Sequence, residues 1–328
     1  MTRSGTRVGC YGKLPVAPDF IAHPAGGPGV VVFTRWLEEA VTLSRDRLGD
    51  EWPGLFGSLP THCFVFRAPP GGTLLLGAMF PGRDASGRSF PFCVFVTLED
   101  SVFGALGGNI NSFRSFLEGA GALRQGEPNT LEDLHFAVDR LDPLLPAGPA
   151  RAQNDDPLRD WTVADLDESL EGPGSKGTGR RIVRNLFELA PRYRVSPERI
   201  PSLGLRFPLP ADNGSAHSVT SLWMDLCSTA LGPNLTPPTC FWTAGGGLSH
   251  PALADIYATV PVPARFILIL DPSKESDWLY PLGNGDAAPF PSEGKPEVAA
   301  ALEAASRPDV LLSDLRIAVE KAAPHLGA

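Results

Sequence analysis

The residues able to do chemistry in this chain are scattered, and their spacing limits what each can do. Gly247-Leu248-Ser249-His250-Pro251 approaches the Gly-x-Ser-x-Gly turn that presents a nucleophilic serine, but Pro251 replaces the closing glycine. A hydrolase using Ser249 and a histidine therefore stays an alternative, not the leading reading. His23, His62, His135, His217, His250 and His325 show neither His-x-x-x-His nor His-Glu spacing, so no metal site is expected. The run from Gly172 to Arg180 contains Lys176 among glycines. A phosphate-binding loop needs its lysine after the last glycine and a strand before the loop. Here the lysine comes first and a helical pattern precedes it, which predicts a flexible linker and no nucleotide or other cofactor.

Binding residues are a better fit. Lys13, in Tyr11-Gly12-Lys13-Leu14-Pro15, either contacts a partner or sits on a solvated turn, with Gly12 supplying a positive φ and Pro15 fixing the bend. Asp19 either pairs with Lys13 or Arg88 or closes an Asx-turn. The stretch 81–91 carries Arg83, Asp84 and Arg88 among glycines. It is either a binding loop on a rigid sheet or a hairpin whose Asp84 and Arg88 pair across the turn. Charge is polarised further on: residues 155–171 are acidic and residues 176–206 are rich in arginine. Those arginines either receive an acidic or phosphorylated segment or are neutralised by the neighbouring acids.

The elements that would position these groups follow from periodicity. Strands are predicted over 6–11, 62–67, 73–80 and 91–98, with a polar loop at 81–89. Phe92-Cys93-Val94-Phe95-Val96 is apolar on both faces, which predicts a central strand covered on both sides. Helices are predicted over 34–48, with Thr34 as N-cap and Gly49 as stop, and over 109–123 and 131–141, the latter opened by the Thr130-x-x-Asp133 capping box. Proline, glycine and asparagine make 142–160 a connector. Further helices are predicted near 163–170, 179–190, 297–305 and 313–322, and strands near 218–224, 238–243 and 265–270.

Composition sets the outer bounds. The 328 residues are 43% apolar, ample for a large core. A net charge of −9 argues against a nucleic-acid partner, whose phosphates select for excess lysine and arginine. The five cysteines lack Cys-x-x-Cys spacing and fit free thiols in a reducing compartment. No apolar run follows Met1–Arg7 and none approaches the roughly 20 residues of a membrane-spanning helix, so a cytoplasmic location is expected.

Short blocks in the first hundred residues add a specific likeness. Gly9-Cys10-Tyr11-Gly12-Lys13-Leu14-Pro15 followed by Asp19-Phe20-Ile21 resembles the signature of the TagF (ImpM) family, with Pro18 in place of a glycine. Trp36-Leu37, Ser44 to Trp52, Phe64 to Pro69 and Gly77 to Pro81 resemble its next blocks. Asp84-x-x-Gly87-Arg88-x-Phe90-Pro91 resembles its Asp-x-x-Gly-Arg-x-Phe-Pro loop, with Gly82 for Ser and Phe92 for Leu. Ser221-Leu222-Trp223 is a fainter echo.

The resemblance implies a three-layer α/β/α sandwich with a mixed central sheet. It further implies a non-enzymatic, post-translational regulator of type VI secretion that binds protein, for instance a forkhead-associated scaffold. A structural assembly factor of the secretion apparatus is the second reading. Lys13, Asp19, Phe20, Arg83, Asp84 and Arg88 are the expected partner-binding residues. The chain divides on this reading into 1–142, a TagF-like α/β region; 143–217, a linker or insertion with charged helices; and 218–328, a C-terminal α/β region packed on the same fold.

Overall fold

A computed structural model describes residues 7–327 apart from 25, 70–71, 106–109, 127, 142–156, 173, 175, 196–201, 233–234, 236–237, 244–249, 275 and 286–291. Nine strands form one open sheet: β1 (Arg7–Gly12), β2 (Ile21–His23), β3 (His62–Ala68), β4 (Thr73–Arg83), β5 (Ser89–Glu99), β6 (Gly204–Pro208), β7 (Thr239–Thr243), β8 (Leu253–Tyr257) and β9 (Leu279–Pro281). Their order is β2-β1-β5-β4-β3-β7-β8-β6-β9. All neighbours are antiparallel except β6 and β9, which makes the sheet mixed.

Both faces of the central strands are buried, as the doubly apolar sequence of β5 predicts. Along β4 and β5 the side chains alternate. Leu74, Leu76, Ala78, Phe80, Phe92, Val94 and Val96 enter one core. Leu75, Met79, Cys93 and Phe95 enter the other. The second core is closed by α1 (Pro28–Leu48) and α2 (Trp52–Ser58), whose Phe33, Trp36, Leu37 and Phe56 are buried. The first is closed by α4 (Arg114–Ala122), α5 (Leu131–Asp139), α6 (Val163–Glu171), α7 (Thr178–Tyr193), α8 (Asn213–Leu231), α10 (Pro296–Ala304) and α11 (Leu312–Ala322); α3 (Asp100–Ala105) caps the end of β5. This is the α/β/α sandwich with a mixed sheet.

Four predicted elements differ, each for a local reason. Helix α1 begins at Pro28, not after Thr34. Pro28 sits at the first helical positions, where its missing N–H costs nothing, and Val30 and Phe33 add buried contacts. Thr34 lies inside the helix and donates back to the Val31 carbonyl at 3.2 Å. The strand expected near 218–224 is the middle of α8, which Asp212 caps by accepting from Ser215 N at 2.8 Å. Residues 216–224 are all buried, so the helix carries no amphipathic stripe to betray its period. The strand expected near 265–270 is a 3-10 turn, Pro263–Phe266, running into α9 (Ile267–Leu270). A short apolar run is ambiguous, and Pro263 tips this one toward helix. The loop expected at 81–89 shrinks to a turn, because Pro81, Gly82 and Arg83 pair with Pro91, Phe90 and Ser89.

The glycine-rich run before α7 has a structural use. Asp167 of α6 accepts from Gly177 N at 2.6 Å and Gly179 N at 2.7 Å, and so fills the N-terminus of α7 where a phosphate would otherwise sit. Gly177 takes φ 89°, a conformation that suits glycine. The arginines of the basic stretch spread to different elements. Arg181 pairs with Glu171 at 2.8 Å, Arg184 with Glu293 at 3.5 Å and Arg206 with Asp255 at 2.7 Å. Arg194 donates to the Ala230 and Thr229 carbonyls.

The Asp167 cap gives a direct test. Asp167→Ala removes the acceptor for one buried and one half-buried N–H group and is expected to cost about 1–3 kcal/mol. Urea unfolding of the variant should show a lower midpoint with an unchanged slope.

Candidate partner-binding surface at the Lys13–Asp84 corner

The motif residues converge where the β1–β2 connection meets the β4–β5 turn. Close backbone approach makes this possible. Gly12 has φ 136°, and a Cβ there would lie 2.0 Å from the Pro91 carbonyl oxygen. A Cβ at Gly82 would lie 2.0 Å from the Lys13 carbonyl oxygen. Neither position tolerates a side chain without moving one connection off the other.

Asp84 holds the corner together. Its Oδ1 accepts from Ser86 N at 3.0 Å and Arg88 N at 2.9 Å, which sets the turn. Its Oδ2 accepts from Lys13 Nζ at 2.9 Å and Arg88 Nε at 2.7 Å, which ties the turn to β1. One backbone bond and one side-chain bond reinforce the link: Ala85 N donates to Ala17 O at 2.9 Å, and Arg88 Nη2 donates to Pro18 O at 2.7 Å. Gly87 at φ 82° closes the turn. Burial alone would raise the Asp84 pKa, but the Lys13 and Arg88 hydrogen bonds hold it well below the ordinary carboxylate range.

The six expected binding residues therefore divide in two. Lys13 and Asp84 are buried, 6% and 3% exposed, and they face each other rather than solvent. Lys13 is neither a solvated turn lysine nor a surface contact. Asp84 and Arg88 do pair across the turn. The other residues reach the surface. Asp19 lies 3.7 Å from Arg88 and accepts from Phe20 N at 2.8 Å. Phe20 is 41% exposed, yet its ring stacks on Tyr11 at 5.4 Å and meets Phe90 edge-on at 4.8 Å, with Lys13 Nζ 4.7 Å from its centroid. The Tyr11 hydroxyl donates to Glu38 of α1 and anchors the stack to the far layer. Arg83 is exposed at the end of β4.

A second polar cluster lies at the other end of the sheet, and no spacing in the sequence pointed to it. Arg206 forms a two-pronged pair with Asp255, at 2.7 and 2.8 Å, and also donates to the Pro272 and Leu268 carbonyls. His62 and His250 line a cavity of about 20 Å³ beside this pair, room for roughly one water. His250 is buried and its Nε2 has no partner among the described residues. Ser249, the alternative nucleophile, lies outside the described residues. Burial lowers the His62 pKa to about 4, with the His250 and Arg206 charges adding to the effect and the Pro60 carbonyl opposing it. His217 is likewise lowered to about 4 by burial; its Nδ1 accepts from Trp242 Nε1 at 3.0 Å.

Two measurements follow. Asp84→Asn keeps the shape but loses the ion pairs, leaves Lys13 buried without its counter-charge, and should lower the melting temperature at pH 7 by several degrees. Because the folded-state pKa of Asp84 is depressed, its stabilisation exists above the unfolded pKa and is lost as pH falls through the folded value. The gap between the two proteins should therefore narrow below about pH 4. The histidines act in a different window. A histidine whose folded pKa lies below its unfolded value leaves the unfolded chain binding more protons. Stability should thus drop as pH falls from about 6.5 toward 4, by roughly 1–3 kcal/mol per histidine. His62→Gln should flatten that part of the profile.

Comparison with known proteins bears on the same corner. Residues 9–141 match the family model of the TagF N-terminal domain, type VI secretion system-associated. No curated protein matches this chain in sequence. Among solved structures, the chain is similar to that of PA0076 from Pseudomonas aeruginosa PAO1, at 19% identity and a TM-score of 0.47 over 87% of this chain and 98% of that one. The matched segment contains the last four residues of β1, all of β2 to β5 and every residue of the Lys13–Asp84 corner. Residues 9–141 thus carry a TagF N-terminal domain, a type VI secretion system-associated domain.

Proposed function

We propose that this chain is a cytoplasmic, post-translational regulator of type VI secretion that acts by binding another protein and catalyses no reaction. The family match places the N-terminal domain with that secretion system. The observation that carries the binding role is the division of labour at the corner. Lys13 and Asp84 are consumed in fixing two connections, and Asp19, Phe20, Arg83 and Arg88 are displayed on that fixed base. A surface whose backbone is already set loses little conformational entropy on docking. Aromatic and arginine side chains are enriched in protein interfaces, and arginine is among the residues that dominate their binding energy. The partner proposed from the family resemblance is a forkhead-associated scaffold of the secretion system.

The test is capture of partners from the native host with the full chain and with a Phe20→Ala, Arg83→Glu variant, alongside measured secretion. Wild-type chain should retain the scaffold and the variant should lose it, by about tenfold or more in affinity. If the chain restrains secretion, the variant raises the secreted amount; an assembly factor would lower it instead. Ser249→Ala should change neither readout. A loss of secretion control in Ser249→Ala with capture intact would overturn the non-catalytic reading in favour of a hydrolase.

A further inference from the structure

A groove of about 680 Å³ runs along the outer side of the corner. One wall is Leu14-Pro15-Val16 of the β1–β2 connection, and the other is Leu123-Arg124 after α4 with Pro128-Asn129 before α5. Phe80 at the end of β4 and Phe56 at the end of α2 form its apolar floor, each 1% exposed as a residue. The size is that of pockets that enclose a few side chains. Gly82 lines it with bare backbone, since the Lys13 carbonyl leaves no room for a Cβ.

Charge selects the occupant. The described lining residues include two arginines, Arg83 and Arg124, and no carboxylate. Both arginines are exposed. Arg124 spends one N–H on the Leu59 carbonyl at 3.0 Å, which holds the guanidinium at the rim, and Arg83 has no partner among the described residues. The adjoining corner is balanced, Lys13 and Arg88 against Asp84 and Asp19, so the local cationic excess is that of Arg83 and Arg124, on a chain of net charge −9. Nucleic acid would need a longer basic track than two arginines beside an apolar floor.

We propose that this groove takes an extended acidic segment of a partner protein, with a bulky apolar side chain seated over Phe56 and Phe80 and carboxylates on Arg83 and Arg124. The proposal rests on the protein-binding reading above and adds to it where the partner docks and which chemistry the groove selects. Arginine forks donate two-pronged to carboxylates, so the acids fix register while the apolar residue supplies desolvation.

Panning a random displayed peptide library against the purified full chain, with an Arg83→Glu, Arg124→Glu variant as counter-target, tests this. Selected peptides should carry acidic residues around a large apolar one and should bind the variant at least about tenfold more weakly in fluorescence anisotropy. Arg83→Gln, Arg124→Gln, with charge removed but not reversed, should fall between the two, and thermal melts should shift by no more than the loss of the one Arg124–Leu59 hydrogen bond, because both side chains are otherwise exposed. Basic or charge-free consensus peptides, binding that survives charge reversal, or no enrichment at all would overturn the proposal. So would concentration-dependent dimerisation that the charge reversal abolishes, which would give the groove to a second copy of the chain. Because panning uses no host component, failure here with scaffold capture intact moves docking to another surface. Success here with no scaffold capture overturns the secretion role instead.

Discussion

The N-terminal domain depends on one carboxylate. Asp84 satisfies both of its oxygens inside the protein, with two backbone donors that shape the β4–β5 turn and two cationic donors that reach across to β1. A buried charge is costly unless it is paired and fully hydrogen-bonded, and this one is both. The same interaction explains why Lys13 can be buried at the end of the opening strand. It also explains why glycine stands at 12 and 82: the connections that the ion pair draws together approach closer than any Cβ allows. Remove the carboxylate and Lys13 loses its counter-charge and the turn loses its template.

Around that pin, the sheet supplies rigidity. β4 and β5 are the longest strands and sit near the middle of the domain, apolar on both faces and covered by helices on both sides. Their length carries Arg83 and Arg88 out to the edge of the layers, so the binding surface is the end of a buried hairpin rather than a free loop. The aromatic stack of Tyr11, Phe20 and Phe90 does the same for the β1–β2 connection. The corner is consequently a preset shape, and the functional proposals require no rearrangement of it.

The second ionic centre, Arg206 with Asp255, shows the same logic used for architecture. It joins β6 to β8 and reaches two carbonyls beyond, in the half of the sheet outside the N-terminal domain. With Asp167 closing the start of α7, these contacts spend the charges of the middle region internally. The polarised blocks of acid and arginine thus produce separate local pairs, and no concentrated phosphate-binding patch arises from Arg181, Arg184, Arg194 or Arg206.

The sequence by itself determined the elements whose signals are local: the alternating or doubly apolar strands β3 to β5, the capping box of α5 and the Gly49 stop of α1. Short blocks of motif also pointed to the TagF N-terminal domain that residues 9–141 match. Where a segment is buried on every side, as in α8 and Ile267–Leu270, periodicity vanishes and sequence reading mistook helix for strand. Only the tertiary structure decided which charged motif residues face inward. Lys13 and Asp84 are 71 positions apart, and their pairing depends on β1 lying against β5 while β5 lies against β4. The groove, assembled from four separate segments, had no sequence signal for the same reason: long-range packing creates it, and no stretch of chain contains it.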